Sequence, residues 1–100
     1  MICKTFVSDK FGVLRVLASN GSIFLCADDL ERIFECECRL KSKKTTIDGE
    51  NLRFITDVQL DYMFRYSSIT KAAEFTLWVC ETILPQLHGE KNDSAVTANG

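Results

Sequence analysis

Asn20-Gly21, set between two short runs of β-branched and large apolar residues, constrains this chain more than any other feature. The runs are residues 11–17 (FGVLRVL) and 23–26 (IFLC). A type I′ turn needs positive φ at both central residues, and Asn-Gly meets that need at little steric cost. The two runs are therefore expected to pair as an antiparallel hairpin. Residues 4–7 and 52–55 are expected to add short strands.

Helical signals occupy the remainder. Asp28 with Glu31 three residues later matches a capping box, and Leu30, Ile33 and Phe34 then share one face of a helix ending near Glu35. Residues 36–50 hold little apolar material beyond Leu40 and Ile47 and read as a loop with a turn at Asp48-Gly49. Thr56 and Gln59 form a second capping box, opening a helix whose Leu60, Met63 and Phe64 lie together. The longest helix is expected over residues 70–87. Ala73, Leu77, Cys80, Leu84 and Leu87 line one side and Ala72, Phe75, Val79 and Ile83 widen it, which predicts a central, well-covered helix. Pro85, the one proline, predicts a kink or break in its last turn. From Gly89 the periodicity stops, so residues 89–100 are expected to be a flexible tail on a domain spanning residues 1–88. Strands, a helix, a strand and two helices make an α+β fold: a small antiparallel sheet with an Asn-Gly hairpin packed against about three helices.

Composition excludes several classes. At 100 residues, with 46% hydrophobic and 26% charged side chains, the chain suits one soluble domain rather than a disordered or collagenous one. Charged residues interrupt each early apolar stretch. No signal peptide or membrane span is expected, and the chain reads as intracellular. Five cysteines cannot all pair and are expected to be free thiols, with Cys26 and Cys80 as small core residues. Cys36-Glu37-Cys38 lacks zinc spacing and a second ligand pair, so no metal or other cofactor is expected. His88 is the lone histidine. Without a nucleophile–base set, a glycine-rich phosphate loop or a metal motif, no catalytic residue is assigned and an enzyme is not expected.

Charge is unevenly spread. The formal net charge is −2, yet residues 39–53 sum to +3, with five basic and two acidic side chains. Arg39, Lys41, Lys43 and Lys44, with hydroxyls alongside, suit contact with phosphates, and Arg53 and Lys71 are candidate neighbours. Any nucleic-acid contact is expected to come through this basic loop, against acidic flanks.

Residues 6–89 resemble the Bro-N domain, the N-terminal domain of phage antirepressors and baculovirus repeated-ORF proteins. Phe11-Gly12-Val13-Leu14-Arg15-Val16-Leu17 is similar to the family's FG-x-[VL]-R-V strand. Asn20-Gly21 and Ile23-Phe24-Leu25-Cys26-Ala27-Asp28 resemble the hairpin leading into its first helix. Phe54-Ile55-Thr56 with Leu60 resembles a further segment. In the last helix Ala72, Phe75, Trp78-Val79, Ile83-Leu84-Pro85 and Leu87 follow A-x-x-F-x-x-W-V-x-x-x-[IV]-L-P-x-[IL], and Ser67 keeps its spacing. The resemblance implies a small α+β domain in the cytoplasm of a bacterial host, acting in phage or prophage transcription control by binding double-stranded DNA. Some family members are instead antirepressors that bind and inactivate a repressor or another regulatory protein. The chain departs from the family at Glu35-Cys36-Glu37-Cys38, where an Asn-Pro pair is usual, and at Leu77 and His88, where the family often has basic residues. Leu77, if exposed, favours a protein contact, including self-association into a homodimer. Family proteins also commonly carry a C-terminal domain beyond the part matched here.

Overall fold

Three antiparallel strands open the fold: β1 (Ile2–Ser8), β2 (Gly12–Ser19) and β3 (Ser22–Cys26). This computed structural model describes residues 2–87. Asn20 and Gly21 take φ of 51° and 80° between the paired Ser19 and Ser22, the twist a two-residue hairpin requires. The chain continues through α1 (Ala27–Phe34), β4 (Lys43–Ile47), β5 (Glu50–Thr56), α2 (Asp57–Phe64) and α3 (Ile69–Trp78). All five strands form one antiparallel sheet in the order β1-β2-β3-β5-β4. The fold is α+β. By its contacts the chain forms two compact units, one through Ile69 and one from Thr70.

In the first unit, the sheet buries side chains on both faces. Val16, Leu25 and Ile55 stand in register on β2, β3 and β5 and are at most 2% exposed. With Leu14 they share the face covered by α1 and α2, which bring Leu30, Ile33, Phe34, Leu60 and Met63 into the core. Each such Leu or Ile contributes about 1.5–3 kcal/mol of burial. Phe34 and Phe64 join the two helices edge to face, with centroids 5.6 Å apart. On the opposite face, Leu17, Cys26, Leu52 and Phe54 form a second cluster that collects Cys3 from β1 and Ile47 from β4. Residues from both edge strands thus pack on one cluster, and Arg15 of β2 reaches Glu50 of β5 on the same face, so the sheet coils about it.

Residues 43–47 correct the loop expected over residues 36–50. Thr45, Thr46 and Ile47 are β-branched, and Asp48 (φ 51°) and Gly49 (φ 79°) build a second two-residue hairpin joining β4 to β5. The first expected capping box is also corrected. Helix α1 begins two residues earlier than expected, at Ala27 with Cys26 rather than Asp28 in the N-cap position, and no side chain caps it. The second capping box is present: Thr56 accepts from the Gln59 amide, and the Gln59 side chain accepts from the Thr56 N–H.

In the second unit, α3 continues into a π-helical turn at Val79–Ile83 and closes with helical residues 84–87. Pro85 has no N–H for the carbonyl of Glu81 and its ring crowds that group. The break expected near Pro85 takes the form of a widened turn after Trp78, in which the Leu84 N–H bonds the Val79 carbonyl. Phe75, Ile83 and Leu87 are buried, and Phe75 meets Trp78 edge to face at 5.8 Å. Four-residue steps from 75 through 79 and 83 to 87 drift across an ideal α-helix, and the wide turn brings them back into line. The well-covered arc expected of this helix is therefore corrected to a narrow stripe. Leu77 is 55% exposed, and Cys80, expected in the core, is exposed. His88 and the expected tail at 89–100 lie outside the described residues.

Candidate nucleic-acid interface

Strand β3 stops at Cys26, where the chain turns into α1. Its last pairs are Val16↔Leu25 with β2 and Cys26↔Phe54 with β5. The neighbouring strands run on, so the backbone N–H groups of Arg15 and Arg53 face the gap that β3 leaves. An unpaired buried N–H is costly. Asp29 and Asp28, in the first turn of α1, fill the gap instead of capping their own helix. The Arg15 N–H donates to Asp29 Oδ2 at 2.8 Å and the Arg53 N–H to Asp28 Oδ2 at 3.0 Å. Each arginine then closes on the same carboxylate with its guanidinium. Arg15 donates from Nε and Nη2 to Asp29 at 3.0 and 2.9 Å, and Arg53 from Nε and Nη2 to Asp28 at 3.2 and 2.8 Å.

The two halves of this junction differ in depth. Asp29 is 1% exposed and also accepts from Arg32, 3.5 Å away. Burial alone would raise its pKa, but the Arg15 bonds outweigh burial and hold the carboxyl below its ordinary 3.8. The same balance, set by Arg53, lowers Asp28. Burial also pushes the Cys26 thiol up to about 11. Arg15 reaches across the coiled face to Glu50 at 3.0 Å. Arg53 is tied further to Glu31 at 2.7 Å and to the Cys38 carbonyl at 3.2 Å, while the Cys38 N–H donates to Glu31 at 2.6 Å. Cys38, 4% exposed, is thereby clamped on both backbone groups, which anchors the root of the basic segment.

Beyond Cys38 the candidate cations separate into different environments. Arg39 is exposed and meets Glu37 at 3.3 Å. Lys41 is exposed, and its carbonyl accepts from Gln59 at 2.8 Å. Lys43 and Lys44 are consecutive in β4 and so point to opposite faces of the sheet: Lys43 Nζ lies 5.3 Å from the centre of the Phe24 ring, and Lys44 lines a groove on the other face. Among the described residues, no carboxylate lies within ion-pair distance of Lys41, Lys43 or Lys44. Arg53, a candidate neighbour by sequence, belongs to the junction. Lys71 lies on α3 in the second unit.

The groove beside Lys44 measures about 490 Å³ and is bounded by Asp28, Lys44, Thr46, Asn51 and Arg53. A second cleft, of about 390 Å³, lies between Arg39, Leu40, Tyr62, Met63 and Tyr66. Tyr62 and Tyr66 are 47% and 69% exposed, and the Arg65 guanidinium stacks 4.8 Å from the Tyr62 ring. Sequence reasoning missed Thr46, Asn51 and the tyrosine pair. Asp-Gly between a Thr-Thr-Ile run and Leu-Arg-Phe-Ile carried the hairpin signal for the first two. No group of residues able to hold a metal ion occurs among the described residues, and no described helix is long and apolar enough to cross a membrane. No family model matches this chain, and neither a curated protein nor a solved structure matches it, so the Bro-N reading rests on the residues that carry the resemblance.

Proposed function

We propose that this chain is a DNA-binding regulatory module of the Bro-N type, acting in phage or prophage transcription control. The observation that carries this reading is the sorting of its cations. Arg15, Arg32 and Arg53 are engaged by carboxylates at the junction, whereas Lys43 and Lys44 on edge strand β4, and Lys41 just before it, have no acidic partner among the described residues. Such an edge offers ammonium groups to a phosphate backbone despite the net charge of −2. Arg39, exposed but paired with Glu37, lies just before them in the chain. If three or four phosphates are contacted, the logarithm of duplex affinity should fall with the logarithm of salt at a slope of about −3 to −4. A gel-shift series from low to moderate salt measures it, and absence of salt-sensitive duplex binding would overturn the proposal.

A second reading is favoured by the cleft around Leu40, Tyr62, Met63 and Tyr66 and by the exposure of Leu77: an antirepressor-like protein that binds another regulator without touching DNA. It predicts a nuclease-resistant complex with a repressor in a pull-down, weakened by Tyr66→Ala.

A further inference from the structure

We infer that the exposed end of the β4–β5 hairpin, on the face it shares with α1 and with Thr46 and Asn51 at its centre, is a base-reading surface that enters the major groove of duplex DNA. This inference rests on the DNA-binding reading and assigns to it the element that carries sequence preference. Four observations lead there.

The hairpin is two-stranded where it matters. β3 pairs with β5 only at Phe54, Ile55 and Thr56, so Glu50–Arg53 has β4 as its single strand neighbour. An antiparallel two-stranded ribbon is one of the two elements that a major groove about 12 Å wide admits.

The ribbon is also two-faced. Leu52, Phe54 and Ile47 belong to the coiled-face cluster, whereas the cross-strand pairs Lys44↔Arg53 and Thr46↔Asn51 stand on the opposite face beside the open groove. Lys44, Thr46 and Asn51 are exposed. Successive residues on one strand face are spaced at about 6.6 Å, close to two base steps of about 3.4 Å each.

The side chains are of the reading kind. The Thr46 hydroxyl donates to Asn51 Oδ1 at 2.7 Å, which restrains the exposed amide and leaves its NH2 and one oxygen lone pair for a ligand. An asparagine so held matches the N7 acceptor and N6 amino group of adenine, and the Thr46 methyl suits a thymine methyl. Lys44, at the base of the same face, meets the flanking phosphate.

Charge agrees with this orientation. Glu50, beside the tip, is held by Arg15 on the coiled face. The acid left at the turn is Asp48, which repels phosphate but can accept from the amino group of a cytosine.

The test is selection of binding sites from a randomised duplex pool by the full chain and by Asn51→Ala and Thr46→Val, each with an unchanged thermal midpoint. The wild type is expected to enrich a short site containing an A·T pair. Asn51→Ala should bind that site roughly 10- to 100-fold more weakly and bind unrelated duplex unchanged. Replacing the contacted adenine by 7-deazaadenine should weaken the wild type and leave Asn51→Ala unaffected. If duplex binds but no site is enriched, or both variants keep the wild-type preference, this inference falls while the DNA-binding reading stands. If no duplex binds at all, both fall.

Discussion

The helix–sheet junction and the β4 edge carry the same kind of charge to opposite ends. At the junction, Arg15 and Arg53 each spend a guanidinium and a backbone N–H on one aspartate, in the space where β3 leaves the sheet. At the edge, Lys41, Lys43 and Lys44 meet no carboxylate among the described residues. Arginine suits the first task because its planar fork satisfies a carboxylate bidentately, and lysine suits the second as a mobile point charge. Cation count alone therefore says little about where a ligand would bind, because the pairing state of each cation decides it.

Breaking the junction should have the largest effect. Arg15→Met leaves the buried Asp29 carboxylate with only the long Arg32 contact and a backbone N–H, and should cost about 3 kcal/mol of stability, read by denaturant unfolding. The wild type carries a pH signature of the same bond. Because the Asp29 pKa is lowered in the folded state, its contribution is complete above the ordinary carboxyl value of 3.8 and is lost as pH falls through the lower folded value. The thermal midpoint should hold near neutrality and drop below about pH 4, and an Asp29→Asn variant should show less of that acid dependence.

Charge reversal at the edge should do the converse. Lys43→Glu with Lys44→Glu should leave the unfolding midpoint nearly unchanged and weaken duplex binding roughly 10- to 100-fold for all sequences, with a shallower salt slope. Loss of stability comparable to Arg15→Met would erase the distinction between the two regions. Arg53→Met tests the bridge between them. It should cost less than Arg15→Met, on the order of 1–2 kcal/mol, because its pair with Asp28 is partly solvated. Hydrogen exchange at the Cys38 amide should rise as its clamp loosens. The smallest expected effect belongs to Asp48→Asn, which keeps a residue tolerant of positive φ and removes the acid at the turn. It should tighten binding to unrelated duplex by roughly two- to fivefold.

Local chemistry made much of the fold legible. The Asn20-Gly21 hairpin, the Thr56/Gln59 capping box and the apolar faces of α1 and α2 all depend on residues within a turn of one another. β4 escaped because Lys43 and Lys44 lack apolar character, and an edge strand needs only one buried face. Its partner, β5, supplies that face from Leu52 and Phe54. The site was legible by composition and not by geometry. Lys41, Lys43 and Lys44 are visible as a cluster, but a sequence does not say that two of them point to opposite sides of a sheet. Nor does it say that Arg53, equally basic, is held by Asp28 and Glu31, more than 20 positions away.

The amino-acid sequence by itself determined the α+β class, the tight turns and the location of the basic segment, because each follows from short-range sterics, hydrogen bonding and charge. Tertiary structure alone decided which cations are spent and which are presented. It did so through the early end of β3, which leaves two strand N–H groups to be satisfied from α1. Pairing across a sheet joins residues distant in the chain, and the low dielectric of a buried gap makes that pairing obligatory. The Thr46–Asn51 pairing is local, set by the Asp48-Gly49 turn, but the packing of Leu52 and Phe54 on the other face decides that this pair stands exposed.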